Sequence, residues 1–216
     1  MPLDRTHAFA DGLVYGPDAR RRWFARADDT ETRAARAWSQ FRATTQLAPG
    51  CRLGPSAWCV NGHRDPARIR LGKNGICRGL LRVEYFGDGQ ITIGEDCYIG
   101  DDCLLSSSSC IEIGSGTMLA HGVQIFDNDS HPANPAERQR DYTAAVSAEL
   151  QRAQIASAPV RIGSQVWFGF NVIILKGVTI GDASIIAAGS VVTKDVPSHT
   201  LAAGNPAVNV KSLANV

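Results

Sequence analysis

The sequence predicts a mainly β chain wound into a parallel β-helix of hexapeptide repeats, with an N-terminal helical cap and one long inserted loop. Three observations predict it. Late in the chain Ile162, Phe168, Ile174, Ile180, Ile186 and Val192 recur every six positions without exception. Two places before them stand Val160, Val166, Val172, Val178, Ser184 and Ser190, all apolar or small. Between Ile125 and Val160 the repeat stops, and the stretch IFDNDSHPANPAER sets His131 beside Pro132.

The repeat itself excludes a helix, because a period of 3.6 would scatter positions six apart around its surface. Short strands joined by tight corners fit, with both marked positions of each hexad pointing inward. Glycine or alanine follows many of the aliphatic residues, as at Gly163, Gly169, Gly181 and Ala187, where the corner backbone needs freedom. Three hexads close a coil of eighteen residues, and neighbouring coils lie about 4.8 Å apart, the ordinary interstrand distance. An earlier block, Ile93, Ile99, Leu105, Ile113, Leu119 and Ile125, obeys the same rule except for a step of eight between Leu105 and Ile113. That step reads as a two-residue register slip. Leu71, Cys77 and Val83 suggest a still earlier, irregular coil. Roughly five coils stack, each on the next.

Residues 17–47 differ in kind. They are rich in alanine and arginine. Trp23 and Ala27, then Trp38, Phe41 and Thr45, fall at helical spacing, and Asp28–Glu31 reads as a break with a new N-cap. The expected division is a helical cap region over 1–66 and a β-helix domain over 67–211. The inserted loop is 127–159, and a closing segment covers 197–216.

Composition excludes several functions. Lysine and arginine number 22 against 21 acidic residues, for a net charge of +1, so no basic field argues for nucleic acid. No apolar run reaches the roughly 18 residues that would make a membrane-spanning helix. The opening MPLDRTHAFADG has no apolar core of a secretory signal, so a cytoplasmic location is expected. The six cysteines form no CxxC pair and read as reduced, packing thiols.

The interruption carries the chemistry. Pro132 biases His131 toward an extended backbone. A neutral imidazole at the root of a loop can take the proton of an attacking hydroxyl. A helix is expected from Tyr142 to Gln154, with Thr143 as N-cap. Stacking the coils sets Leu105 under Ile125, Ser106–Ser109 under Phe126–Asp129, and Asp101 under His121. It also sets Phe168 on Leu119, Ile174 on Ile125, and Lys176 near Asp127. Asp101, Ser106, Ser107 and His121 then form a polar wall suited to a sugar, and Asp127 or Asp129 could orient the imidazole. Trp167 lies between inward Val166 and Phe168, so it points outward and needs cover from a ligand or another subunit. No GxSxG occurs and Cys110 has no thiolate-stabilising neighbour, so direct transfer is expected in place of a covalent acyl-enzyme.

These residues are similar to a known family. DNDSHP followed by PxxR, then PVRIGSQVWFGFNVIILKGVTIGDASIIAAGSVVTKDVP and AAGNPA, resembles the hexapeptide-repeat sugar O-acetyltransferases. Within these, the maltose and galactoside acetyltransferases and the bacterial surface-polysaccharide branch are the nearest in pattern. The resemblance covers residues 91–211. It implies a left-handed β-helix and transfer of acetyl from acetyl-CoA to a hydroxyl of a sugar or glycan precursor, with no metal. It also implies a homotrimer with active sites between subunits. His131 falls on the family's base. Trp167 and Phe170 fall at the edge of the CoA site, and Ala188, Thr193 and Lys194 on the segment along pantetheine and adenine. Gly204, Asn205 and Pro206 fall on the closing turn. Val208 stands where a basic residue commonly meets the CoA phosphate, which leaves Lys211 and Lys194 for that role. Gly100 stands where the small-sugar enzymes carry a sugar-binding asparagine. Two alternatives remain: a zinc enzyme like the γ-type carbonic anhydrases, for which His121 and His131 are candidate ligands while His63 and His199 lie remote in the repeat, and a non-catalytic solenoid.

Overall fold

The computed structural model describes residues 41–147 and 154–214, together with Ala35 and Ser39. Trp23, Ala27 and Trp38 lie outside the described residues, as does the end of the helix expected up to Gln154. What is described is a left-handed parallel β-helix, a triangular prism with three sheets as its faces.

The first face stacks Gln46–Leu47, Ile69–Leu71, Ile91–Ile93, Ile111–Ile113, Val160–Ile162 and Thr179–Ile180. On the second lie Arg52–Leu53, Ile76–Cys77, Tyr98–Ile99, Met118–Leu119, Trp167–Phe168, Ile185–Ile186 and Thr200–Gly204. The strand Ala207–Ser212 returns antiparallel on that last rung, after a cis Asn205–Pro206 bond. The third face holds Trp58–Asn61, Leu80–Val83, Leu104–Ser107, Gln124–Phe126, Ile173–Ile174 and Val191–Val192. Every hexad position expected to point inward is buried, from Ile93 to Val192. The expected stacking of Leu105, Ile125 and Ile174 is observed, as is that of Leu119 and Phe168.

There are six coils, one more than the repeat suggested. The added coil, residues 46–61, pairs with the next at Leu47↔Leu71, Leu53↔Cys77 and Cys59↔Leu81. The solenoid therefore begins inside the segment assigned to the helical cap, below the boundary placed at residue 67. The prism also tapers. Along the first face the register advances by 24, 22 and 20 residues through Leu47, Leu71, Ile93 and Ile113, and then by 18 from Ile162 to Ile180. Longer third-face strands and longer connections back to the first face hold the extra residues. The eight-residue step after Leu105 is thus a wider face, with Ser106 and Ser107 inside its strand, and no register is lost.

The chain leaves the prism after Phe126, at the edge where the third face turns to the first, and re-enters at Val160. Its helix, Pro135–Val146, starts earlier than expected. The Asn134 side chain accepts hydrogen bonds from the backbone of Ala136 and Glu137, and Pro135 is in the first turn. Asparagine as cap with proline next is a stronger start than Thr143. Thr143 sits mid-helix instead, its hydroxyl donating to the Gln139 carbonyl.

Candidate active site

Two carboxylates in the loop have separate tasks, and neither is the one expected. Asp127 is fully buried at the third–first edge. Its oxygens accept from the Ser108 and Ser109 amides at 2.8 and 2.9 Å and from the Asn128 side chain at 3.0 Å, and Ser107 Oγ lies 2.7 Å away. Four donors saturate this group, so Asp127 fastens the loop root to the coil beneath. Asp129 pairs with Lys176, the lysine expected near Asp127. The carboxylate that meets the imidazole is Asp141. Its Oδ2 lies 3.0 Å from His131 Nδ1, and its side chain is 0% exposed against 56% for that of His131. Asp141 comes from the loop helix, which folds back over the histidine. The reassignment from Asp127 and Asp129 to Asp141 rests on those distances and on saturation of Asp127.

This geometry fixes the imidazole chemically. A carboxylate at hydrogen-bond distance makes Nδ1 the proton-bearing nitrogen, which leaves Nε2 with a free lone pair. The Pro132 ring is buried beside it, and Arg138 Nη1 donates to the Pro132 and Ala133 carbonyls, holding the turn against the helix.

The expected polar wall divides in two. Ser106 and Ser107 are buried; Ser106 donates to Glu84 Oε1 at 2.8 Å, and Ser107 lies among Asp127 and Gln90. Inside a widened strand Ser107 is an internal clasp, closed to a ligand. Asp101 and His121 sit at a different edge, between the second and third faces. The Arg78 guanidinium, bonded through Nε to both oxygens of Asp101, holds that carboxyl below the ordinary carboxylate range, with help from Ser56. His121 Nδ1 accepts from the Asp101 amide at 3.1 Å, and its ring stacks on Phe170 with centroids 5.9 Å apart.

The residues expected at a thioester site also lie in two groups. Trp167 is 51% exposed on the second face, with Met118 below and Ile185 above. Leu201 pairs with Ile185, and Lys211 with Leu201, so Lys211 continues that ladder. Phe170 and Ala188 are exposed at the second–third edge, and the Gly204 amide donates to Ser190 Oγ there. Thr193 and Lys194 follow Val191–Val192 and stand at the third–first edge, on His131's side of the prism. Asn205 and Pro206 form the exposed hairpin turn.

The thiols are packing groups. Burial pushes Cys59 and Cys103 up to about 11 and Cys77 up to about 12, and raises Cys110 as well. Among the described residues no three His, Cys, Asp or Glu side chains gather where a metal ion could be held. No described helix is long and apolar enough to cross a membrane.

Comparisons with known proteins meet this geometry. Residues 159–194 match the family model described as bacterial transferase hexapeptide (six repeats). An Escherichia coli K12 protein with the provisional name lipopolysaccharide biosynthesis O-acetyl transferase WbbJ is 30% identical over 148 residues, covering 68% of this chain and 74% of WbbJ. The chain belongs to the hexapeptide-repeat transferase family. A Staphylococcus aureus (strain Mu50) member, provisionally named an acetyltransferase, is 36% identical over 125 residues, 58% of this chain and 56% of that protein. The chain thus spans little more than half the length of such curated relatives. Among solved structures, AntD, an N-acyltransferase from Bacillus cereus in complex with dTDP and coenzyme A, superposes with a TM-score of 0.61 at 17% identity, over 79% of this chain and 84% of AntD. The hexapeptide-repeat acetyltransferase VCA0836 of Vibrio cholerae, complexed with acetyl coenzyme A, gives 0.55 at 22% identity, over 88% and 91%. At these identities the two structures establish that the hexapeptide family shares this fold.

Proposed function

We propose that this hexapeptide-repeat protein is an O-acetyltransferase that moves acetyl from acetyl-CoA to a hydroxyl of a sugar or glycan precursor. The observation that carries the reading is the His131–Asp141 pair, an exposed imidazole oriented by a buried carboxylate at the root of the one long excursion from the wall. His131 Nε2 removes the acceptor's proton. The resulting oxygen nucleophile attacks the thioester carbonyl, and the tetrahedral intermediate expels the CoA thiolate. The imidazolium returns its proton to that thiolate, so His131 ends neutral. Asp141 holds the tautomer and offsets the transient charge.

The thioester lies along Trp167, Phe170 and Ala188, with Thr193, Lys194 and Lys211 toward the nucleotide and the turn Gly204, Asn205 and Pro206 closing over it. Those residues are divided between two faces, and this supports an assembly in which two copies complete each site. The outward ladder of the second face is Ile76, Tyr98, Met118, Trp167, Ile185 and Leu201; that of the third is Trp58, Leu80, Leu104, Gln124, Ile173 and Val191. The first face presents Gln46, Arg70, Thr92, Glu112, Arg161 and Thr179 instead. One polar face and two apolar ones suit a closed homotrimer, each copy meeting two neighbours. A neighbour's second face then brings a Trp167 toward His131.

The test incubates purified protein with acetyl-CoA and a sugar panel, reading thiol release and acetylated product by mass. His131→Ala lowers turnover at least about a hundredfold, on the scale of a lost general base. Unchanged turnover in that variant rejects the reading. Sedimentation at micromolar concentration gives a trimer; a monomer rejects the shared site.

A further inference from the structure

Among the described residues two buried side-chain polar atoms have no hydrogen-bond partner, His63 Nε2 and Arg82 Nε. They lie on adjacent coils at one edge of the prism. Trp58–Asn61 pairs in register with Leu80–Val83, and His63 and Glu84 follow these strands where the third face turns to the first. This is the edge from which the His131 loop departs. Phe126, the last residue before the loop root, stacks on Ser106, and Ser106 stacks on Arg82. Arg82 therefore lies two strand spacings, roughly 10 Å, below that root. The lower coils also carry their extra residues at this edge.

A buried guanidinium donor left unmet costs about 1–3 kcal/mol, and so few groups are left unmet in folded proteins that each calls for an explanation. Here two orphans sit together with complementary groups. Arg82 Nη1 lies 3.9 Å from Glu84 Oε1, too far for a hydrogen bond. Glu84 is held in place by Ser106 Oγ and is partly exposed. The next residue, Tyr85, is 43% exposed and packs edge-on against Phe86 with centroids 5.6 Å apart. Donor, acceptor and a braced aromatic ring thus face one place, and their charges cancel.

We propose that His63, Arg82, Glu84 and Tyr85 form the subsite that holds a neutral pyranose unit of the acceptor. The inference rests on the sugar-acetylating reading and names the class of sugar that site takes. Arg82 Nε and His63 meet ring hydroxyls as donors, Glu84 accepts from a neighbouring hydroxyl, and the Tyr85 ring covers the apolar C–H face. The Glu84 carboxylate disfavours an acidic sugar at the same place, since a second carboxylate would meet it across a partly dry site.

Saturation-transfer NMR on the full chain tests this without requiring turnover. The probes are the methyl glycosides of glucose, galactose and mannose, with glucuronate as the acidic counterpart. At least one neutral glycoside gives a signal with the wild type, at least fivefold stronger than glucuronate. That signal falls at least fivefold in Arg82→Gln and Glu84→Gln, with melting curves checking that each variant is folded. Tyr85→Ala serves where Glu84→Gln does not fold. In the transfer assay Arg82→Gln raises the acceptor KM at least tenfold and changes kcat less than threefold. Equal signals in wild type and folded variants, a preference for glucuronate, or no glycoside signal at all overturns the subsite. So does an Arg82→Gln variant that dissociates the trimer yet binds glycoside normally, which would make Arg82 a subunit contact. Intact glycoside binding without any acetyl transfer rejects the proposed activity and leaves the subsite standing.

Discussion

The wall of the prism and the excursion from it are built on different principles. In the wall a residue's task follows from its place in the hexad. Ile99, Leu119, Phe168 and Ile186 point into the core because their neighbours above and below do. In the excursion each residue is held by its own polar bonds: Asp127 by four donors, the helix start by the Asn134 cap, His131 by Asp141. The wall is averaged over many equivalent contacts, whereas the loop depends on a few that nothing duplicates. The difference teaches where chemistry can be placed, since a repeat cannot present one histidine without an interruption.

The loss of turnover set for His131→Ala, about 10²–10⁴-fold, is the largest effect. It sharpens the comparison if the melting temperature stays within a degree or two, because an exposed imidazole supports no packing. A fall in stability as large as that of a core substitution would place His131 in the wall and break the contrast.

Alkaline pH should act next most strongly, and on the wall. The buried thiols of Cys59, Cys77 and Cys103 ionise only at about 11, 12 and 11. In the unfolded chain they ionise near the ordinary value of 9.0. Folding stability is therefore complete below pH 9 and is lost as pH rises toward 12, on the order of 1 kcal/mol per thiol for each pH unit crossed. Chemical denaturation at pH 8 and pH 10.5 measures this. Cys59→Val with Cys77→Val should flatten the slope; an unchanged slope would show that other groups govern it.

Asp127→Ala should lower stability by about 2–3 kcal/mol, since it leaves two buried amides and a serine hydroxyl unmet. The variant tests whether the loop root belongs to the wall's stability or to the loop's chemistry. Activity measured well below its melting point should stay within a few-fold of wild type. A loss as deep as that of His131→Ala would return Asp127 to the catalytic group.

Asp141→Asn is the converse. The amide keeps the shape and gives up the charge that steadies the imidazolium. Turnover should fall at least about tenfold, or 1.4 kcal/mol of activation, with a smaller change in melting. Equal turnover would mean that Asp141 only closes the helix over the loop.

What was legible in the sequence follows the same division. Register could be read because it repeats: Ile125 above Leu105 and Phe168 above Leu119 needed only the period of six. His131 could be read because it breaks the period. Asp141 could not, because its approach depends on a helix that begins at Asn134–Pro135 and folds back, and no periodicity encodes that turn. The first coil was present in the sequence but faint. Leu47, Leu53 and Cys59 are spaced by six, yet the next coil returns after 24 residues, which hides the recurrence. Ser107 was misread for a related reason. A wider third face turned a residue taken as an outer corner into an inner one, above Val83.

The smallest effect isolates the wall's backbone from its side chains. Ala183 adopts a left-handed conformation at φ 52° at the corner between the first and second faces, and its amide donates to the Ser164 carbonyl. Two coils below, the amide of Gly116 donates to Glu95 in the same way at φ 70°. An alanine there carries a steric cost that glycine avoids, partly offset by the greater freedom of glycine in the unfolded chain. Ala183→Gly should therefore raise stability by about 0.5–1 kcal/mol. Ala120, outside the left-handed region, should lose about as much on the same change. Opposite signs at two alanines of one wall would mean that corner conformation alone sets the tolerance of each position; matching signs would mean that side-chain contacts still matter where the repeat is most regular.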